Sequence, residues 1–201
     1  MILVLLLVIV GVLVFWFVGA YNKLISLKNQ VFNAWKQIDV QLKRRHDLIP
    51  NLVETVRGAM NFERETLEAV IAARNQAVAT LKSTAPGDAP TPQQVHQTAA
   101  AESQLSSALG RLFAVVEAYP DLKATGNAAQ LQEELTSTEN KIAFARQLYN
   151  DTATAYNTRQ QQFPTSLVAG FARATPAELW EITDAAEREA PKVDLSMNIK
   201  R

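Results

Sequence analysis

The chain has 201 residues, with twenty basic and twenty acidic side chains, no net formal charge and no cysteine. Thiolate metal sites and disulfide frameworks are therefore excluded, and the lack of cysteine fits either side of a membrane. The one basic cluster, Lys43-Arg44-Arg45, is flanked by Asp39 and Asp47. That is not the dense basic stripe of a nucleic-acid binder.

The chain opens on Ile2 to Ala20, nineteen residues without a charged or strongly polar side chain. As a helix this block spans about 28 Å, the thickness of one bilayer hydrocarbon core. Phe15, Trp16, Phe17 and Tyr21 gather at its far end, where amphipathic rings settle at a membrane surface. A cleaved signal would need a basic start and a shorter apolar stretch; only Val18-Gly19-Ala20 resembles a cleavage site. The reading is an uncleaved, single-pass anchor over residues 1–20. A cleaved, soluble periplasmic bundle is the alternative. Lys23, Lys28 and Lys36 follow before the first acid, Asp39. The positive-inside bias then puts the N-terminus outside and the bundle in the cytoplasm of a bacterial inner-membrane protein, with a periplasmic bundle as the reverse.

Beyond the anchor, about 180 residues suit one domain. Tyr21 to Lys82 carries ten basic and six acidic residues, Ser83 to Arg201 ten and fourteen, so opposite fields favour packing the halves together or associating chains head to tail. Apolar side chains recur at Leu24, Leu27, Val31, Trp35, Ile38, Leu42, Ile49, Leu52, Val56, Met60, Leu67, Val70, Ala77 and Leu81, mostly in steps of three, four or seven. This predicts one long bent helix or two stacked ones, kinked near residues 46–50 where Pro50 lacks a backbone donor. Ser83 to Pro92, with three prolines and a glycine, predicts a loop. Thr91-Pro92-Gln93-Gln94 reads as a capping box opening a helix with the seam Val95, Leu105, Leu109, Leu112 and Val116.

After a turn, Asn127 is placed to cap a helix whose seam runs Leu131, Leu135, Ile142, Ala145, Tyr149 and Tyr156, up to Phe163-Pro164. Thr175-Pro176-Ala177-Glu178 repeats the capping pattern and predicts a short last helix with Leu179 and Ile182. Val193, Leu195, Met197 and Ile199 alternate with polar residues, the period of a strand. Such a tail stays loose, docks on its own bundle, or pairs with other copies of the chain, which makes these four residues the oligomerisation candidates. The expected fold is all-α: a transmembrane helix continuing into an elongated antiparallel bundle of three to four helices over 21–190, with an extended tail over 191–201.

No chemistry-bearing motif is marked. The Glu-x-x-His pairs of carboxylate metal bundles are absent, His46 and His96 lack companion ligand spacing, and no phosphate-binding glycine loop or nucleophile elbow is present. No catalytic, cofactor or metal residue is therefore assigned. Two polar clusters carry the most information. In Asp39, Lys43, Arg44, Arg45 and Asp47, Arg45 occupies the apolar seam itself. This predicts an internal ionic network with Glu139, Asn140 or Arg146, or else a partner-docking or lipid-headgroup surface. Lys43 lies roughly 35 Å beyond the span on a straight helix, so Lys23 and Lys28 are better placed for headgroups. The second cluster, Glu139 to Asn150 with Tyr156-Asn157, places Tyr149 and Tyr156 on one face, as core tyrosines with bonded hydroxyls.

The stretches IDVQLKRRHDLIPNLVETVRG, EAYPDLKA and TENKIAFARQLYN, with Phe163-Pro164, all placed after an N-terminal span, resemble the LemA family from about Tyr21 to Val193. The resemblance implies a single-pass bacterial membrane protein with a helical bundle and no established catalytic activity. It also implies adaptor or organising roles, since relatives occur beside HtpX-type membrane metalloproteases and in magnetosome membrane formation. One departure is Arg57-Gly58-Ala59-Met60, where the family's usual aromatic after the glycine is replaced. The function expected from these features is a non-enzymatic membrane scaffold that self-associates or recruits a membrane protein such as a metalloprotease, with lipid as its constant partner. The competing expectation is a membrane-tethered hydrolase using Asp39, Arg44, Glu63 and Glu139 as a carboxylate site inside the bundle.

Overall fold

The computed structural model describes residues 1–57, 63–82, 90–119 and 126–181. Its described residues form five helices and no strand: α1 (Ile2–Arg57), α2 (Arg64–Lys82), α3 (Pro92–Glu117), α4 (Gly126–Gln161) and α5 (Thr165–Phe171). The fold is all-α. Met60, Ile182 and the candidates Val193, Leu195, Met197 and Ile199 lie outside the described residues.

α1 is one helix of 56 residues, about 84 Å long. None of its residues before Ala20 is buried, and from Ala20 onward its seam enters the core. Over Leu24 to Leu81, where one long bent helix or two stacked ones was expected, the structure has two helices packed on each other: α1, with Pro50 inside it, and α2. Pro50 leaves the His46 carbonyl without its usual donor four residues on. Arg74 of α2 supplies a substitute, its Nε donating to that carbonyl at 3.2 Å. A helix flaw is thus filled by a tertiary contact, which ties α2 to α1.

The four long helices run alternately up and down. Trp35 meets Tyr149, with ring centroids 5.4 Å apart, and ten residues further along α1 Arg45 meets Glu139, ten residues back along α4. That constant register is antiparallel. α2 and α3 pack on each other, and α2 also rests on the upper part of α1. The Thr91 capping box forms as its sequence indicates: the hydroxyl accepts from Gln94 N–H at 3.3 Å, and the Gln94 side chain accepts from Thr91 N–H at 2.8 Å. α4 starts at Gly126, one residue before the expected cap Asn127.

Two apolar cores lie along the rod. The lower one joins Leu24, Trp35, Ile38 and Leu42 of α1 to Val95, Ile142, Tyr149, Tyr156, Val168 and Trp180. The upper one joins Ile49, Leu52 and Val56 to Val70, Leu105, Leu112 and Leu135.

The expected short helix at Thr175 does not form over the described residues. From Ala174 to Glu181 the chain is extended and runs back along α4. Two asparagines of α4 explain this. The Asn157 amide donates to the Ala177 carbonyl at 2.7 Å and accepts from the Ala177 N–H at 2.8 Å. Asn150 does the same with Trp180, at 3.0 and 2.8 Å. The Tyr149 hydroxyl donates to the Glu178 carbonyl at 2.6 Å. These side chains satisfy the backbone groups that a helical turn would otherwise satisfy, and the strap seats Trp180 against Trp35, 5.9 Å between centroids. Replacing Asn150 with aspartate keeps the shape but removes the donor to the Trp180 carbonyl. We expect it to cost about 1–3 kcal/mol and to raise hydrogen exchange at the Trp180 amide. Unchanged protection there would show that the asparagine does not hold the strap.

Candidate functional site

Between the two apolar cores lies a buried ionic layer. Arg45 takes a seam position of α1 where an apolar residue would continue the pattern, and its side chain is fully buried. The guanidinium ion-pairs with Glu102 of α3 and Glu139 of α4 and donates to the Ser106 hydroxyl at 3.1 Å. Glu102 is buried as well, and its second oxygen lies 2.8 Å from His46 Nε2. Three helices meet on one cation. Burial alone would raise the Glu102 carboxyl pKa, but the hydrogen bond from His46 and the Arg45 charge outweigh it and hold the group below its ordinary value. The void beside the layer, lined by Arg45, Glu102, Ser106, Glu139, Arg146 and Trp180, is only about 10 Å³. That is room for about one water molecule and for no organic ligand.

The remaining residues expected in this network are dispersed. Arg146 stacks its guanidinium 6.0 Å from the Trp180 ring instead of bridging a carboxylate. Asp39 pairs locally with Lys36 at 3.3 Å. Lys43, Arg44, Asp47 and Asn140 are exposed. Tyr149 is buried, and its hydroxyl serves the strap. Glu102 was not singled out from the sequence, although it is the acid that completes the layer; the signal was an acidic residue at helical spacing between Val95 and Leu105. His46 is a core side chain bonded to that acid.

The proposed carboxylate site does not assemble. Glu63 precedes α2 and lies about 16 Å along the axis from Arg74, which sits at the level of His46. Asp39 is a turn and a half below Arg45, Arg44 faces solvent, and Glu139 is taken by Arg45. Among the described residues no three His, Asp or Glu side chains could hold one metal ion.

The other distinctive surface is apolar. Val40 of α1 and Phe144 and Leu148 of α4 are exposed together. With Lys36, Gln37, Gln41, Lys141 and Ala145 they line an open groove of about 490 Å³. Phe144 also borders a second groove toward Gln132 and Ser137.

A continuous helix with a bare apolar end, a four-helix rod and an ionic layer closed to ligands define a membrane-associated helical bundle without a recognisable catalytic centre among the described residues. The chain belongs to the LemA family, whose sequence profile matches residues 34–195. It is 31% identical to Protein LemA of Metamycoplasma hominis, over 80% of this chain and 68% of that protein. It is 26% identical to Magnetosome protein MamQ 2 of Paramagnetospirillum magneticum and 24% to Magnetosome protein MamQ of Magnetospirillum gryphiswaldense. These matches cover 77% and 76% of this chain, but only 63% and 62% of those proteins, less than two thirds of their length.

The ionic layer predicts unequal costs for losing its buried cation and its half-exposed acid. Arg45→Ala leaves Glu102 buried without its cation and should destabilise the fold by about 3–5 kcal/mol. Glu139→Gln, at a carboxylate 46% exposed, should cost less than about 1 kcal/mol. Urea unfolding followed by tryptophan fluorescence compares them, and equal effects would refute the assignment. Because Glu102 releases its proton more readily in the fold than in the unfolded chain, its contribution is complete above the ordinary value of 4.5 and is lost as pH falls through the lower folded value.

Proposed function

We propose that this protein is a membrane-tethered scaffold that works by association, not by turnover. The observation that carries this reading is the continuity of α1. A segment long and apolar enough to cross a membrane once passes without a break into the principal core helix of the rod. Whatever binds the rod is thereby held at a fixed distance from the lipid. Family membership and the printed names of the relatives, two of them magnetosome proteins, support a membrane-associated role and name no reaction. The positive-inside bias of Lys23, Lys28 and Lys36 supports a bundle facing the cytoplasm of a bacterial inner membrane. A reporter active only in the cytoplasm, fused after Arg201, should give signal; a silent fusion reverses the orientation.

The face for association is Val40, Phe144 and Leu148. An aromatic flanked by aliphatic side chains and rimmed by Lys36 and Lys141 has the composition of an interface centre. The partner we assign to it is a second copy of the chain. Phe144→Ser removes the central anchor and should weaken self-association by at least about tenfold, equivalent to about 1.4 kcal/mol. Light scattering of the detergent-extracted protein measures this. A strictly monomeric native chain would end the self-association reading.

A further inference from the structure

At the membrane-proximal end, the geometry points to α5 as a second lipid contact, an interfacial helix lying against the base of the anchor. This rests on the reading of Ile2 to Ala20 as a membrane span. α5 is two turns long, and its inner face, Thr165, Val168 and Ala169, is buried in the lower core beside Ala20 and Leu24. Its outer face carries Leu167 and Phe171, four residues apart and 61 and 77% exposed, and Phe163, in the turn just before the helix, is 81% exposed. Two phenylalanines and a leucine bared at one end of the rod are a poor surface to show to water.

The position of that surface says what covers it. The Phe171 ring packs edge-on against Phe17, with centroids 5.7 Å apart and planes at 76°. Phe17 lies within the apolar block, six residues or about 9 Å before Lys23, the first charge on the chain. If α1 crosses a bilayer, Phe17 sits at the acyl-headgroup boundary, and Phe171 is held at the same depth. The outer face of α5 is then continuous with the lipid-facing surface of the anchor. The charge pattern agrees. Residues 152–177 contain no acid, and Arg173 is exposed just past Phe171, while Lys23 and Lys28 are exposed on α1. An apolar patch beneath exposed cations is the arrangement of a helix lying in an anionic bilayer surface.

The absence of cysteine allows single labelling sites. The full chain carrying Leu167→Cys or Phe163→Cys, labelled with a nitrobenzoxadiazole fluorophore, would be reconstituted in vesicles of phosphatidylcholine and phosphatidylglycerol containing lipids spin-labelled at a shallow or a deep acyl carbon. Leu7→Cys in the span and the exposed Ser137→Cys serve as references. We expect the shallow quencher to reduce emission at 167 and 163, the deep one to reduce it at 7, and neither to affect 137. If position 7 is quenched while 167 and 163 behave like 137, the lipid contact of α5 is refuted and the anchor stands. A blue-shifted label at 167 that no lipid quencher reaches would place the patch against protein and refute it equally. No quenching at position 7 would overturn the anchor and, with it, this inference.

Discussion

The meeting of Arg45 with Glu102 and Glu139 is the constraint on which the rest of the bundle's geometry depends. Long helices with apolar seams can slide past one another by a turn at small cost, because one leucine layer resembles the next. A buried guanidinium cannot slide. Moving α3 by one turn would strand Arg45 and Glu102 unpaired in apolar surroundings, at a penalty of several kcal/mol. The layer therefore adds little net stability compared with an apolar one and instead selects a single register. Below it that register brings Trp35 against Tyr149, and above it Ile49 and Leu52 against Leu105 and Leu112.

The same register positions the strap. With α4 fixed against α1, Asn150 and Asn157 face the returning chain, and Trp180 falls into place between Trp35 and Arg146. The strap thereby closes the side of the ionic layer, since Trp180 and Glu181 line the small void beside Arg45. Closure matters for the strength of the layer: it leaves room for no more than about one water molecule beside Arg45, so bulk solvent does not screen Arg45 from Glu102.

The helices were legible in the sequence because periodic apolar seams act locally, and every described seam residue of α1, from Leu24 to Val56, is buried. Arg45 was legible for the same reason, as a charge out of place on such a seam. Glu102 was harder to see because the α3 seam was traced directly from Val95 to Leu105, past Thr98 and Glu102, both buried. Read together, a basic residue on one seam and an acid on another are complementary. The strap was misread because its determinants are distant: Thr175-Pro176-Ala177-Glu178 has the local chemistry of a helix start, and only α4, twenty to thirty residues earlier, supplies the competing bonds. Phe163, Leu167 and Phe171 are visibly spaced by four, yet their meaning depends on the fold bringing Phe171 to Phe17.

A single helix crossing a bilayer leaves the attached rod free to rotate about its axis and to tilt. A second contact at α5, on one side of α1, removes much of that freedom, so the rod would present a preferred face at a defined height. Val40 is twenty residues beyond Ala20, which places the Val40, Phe144 and Leu148 face about 30 Å above the end of the span. Two copies in one membrane carry that face at the same height and can join it only side by side with their anchors parallel. Antiparallel pairing would require the anchors to point to opposite sides. On the proposed self-association, confinement to one bilayer would supply the orientation before contact and lower the entropic cost, so that a modest apolar face would suffice where it would be weak in free solution.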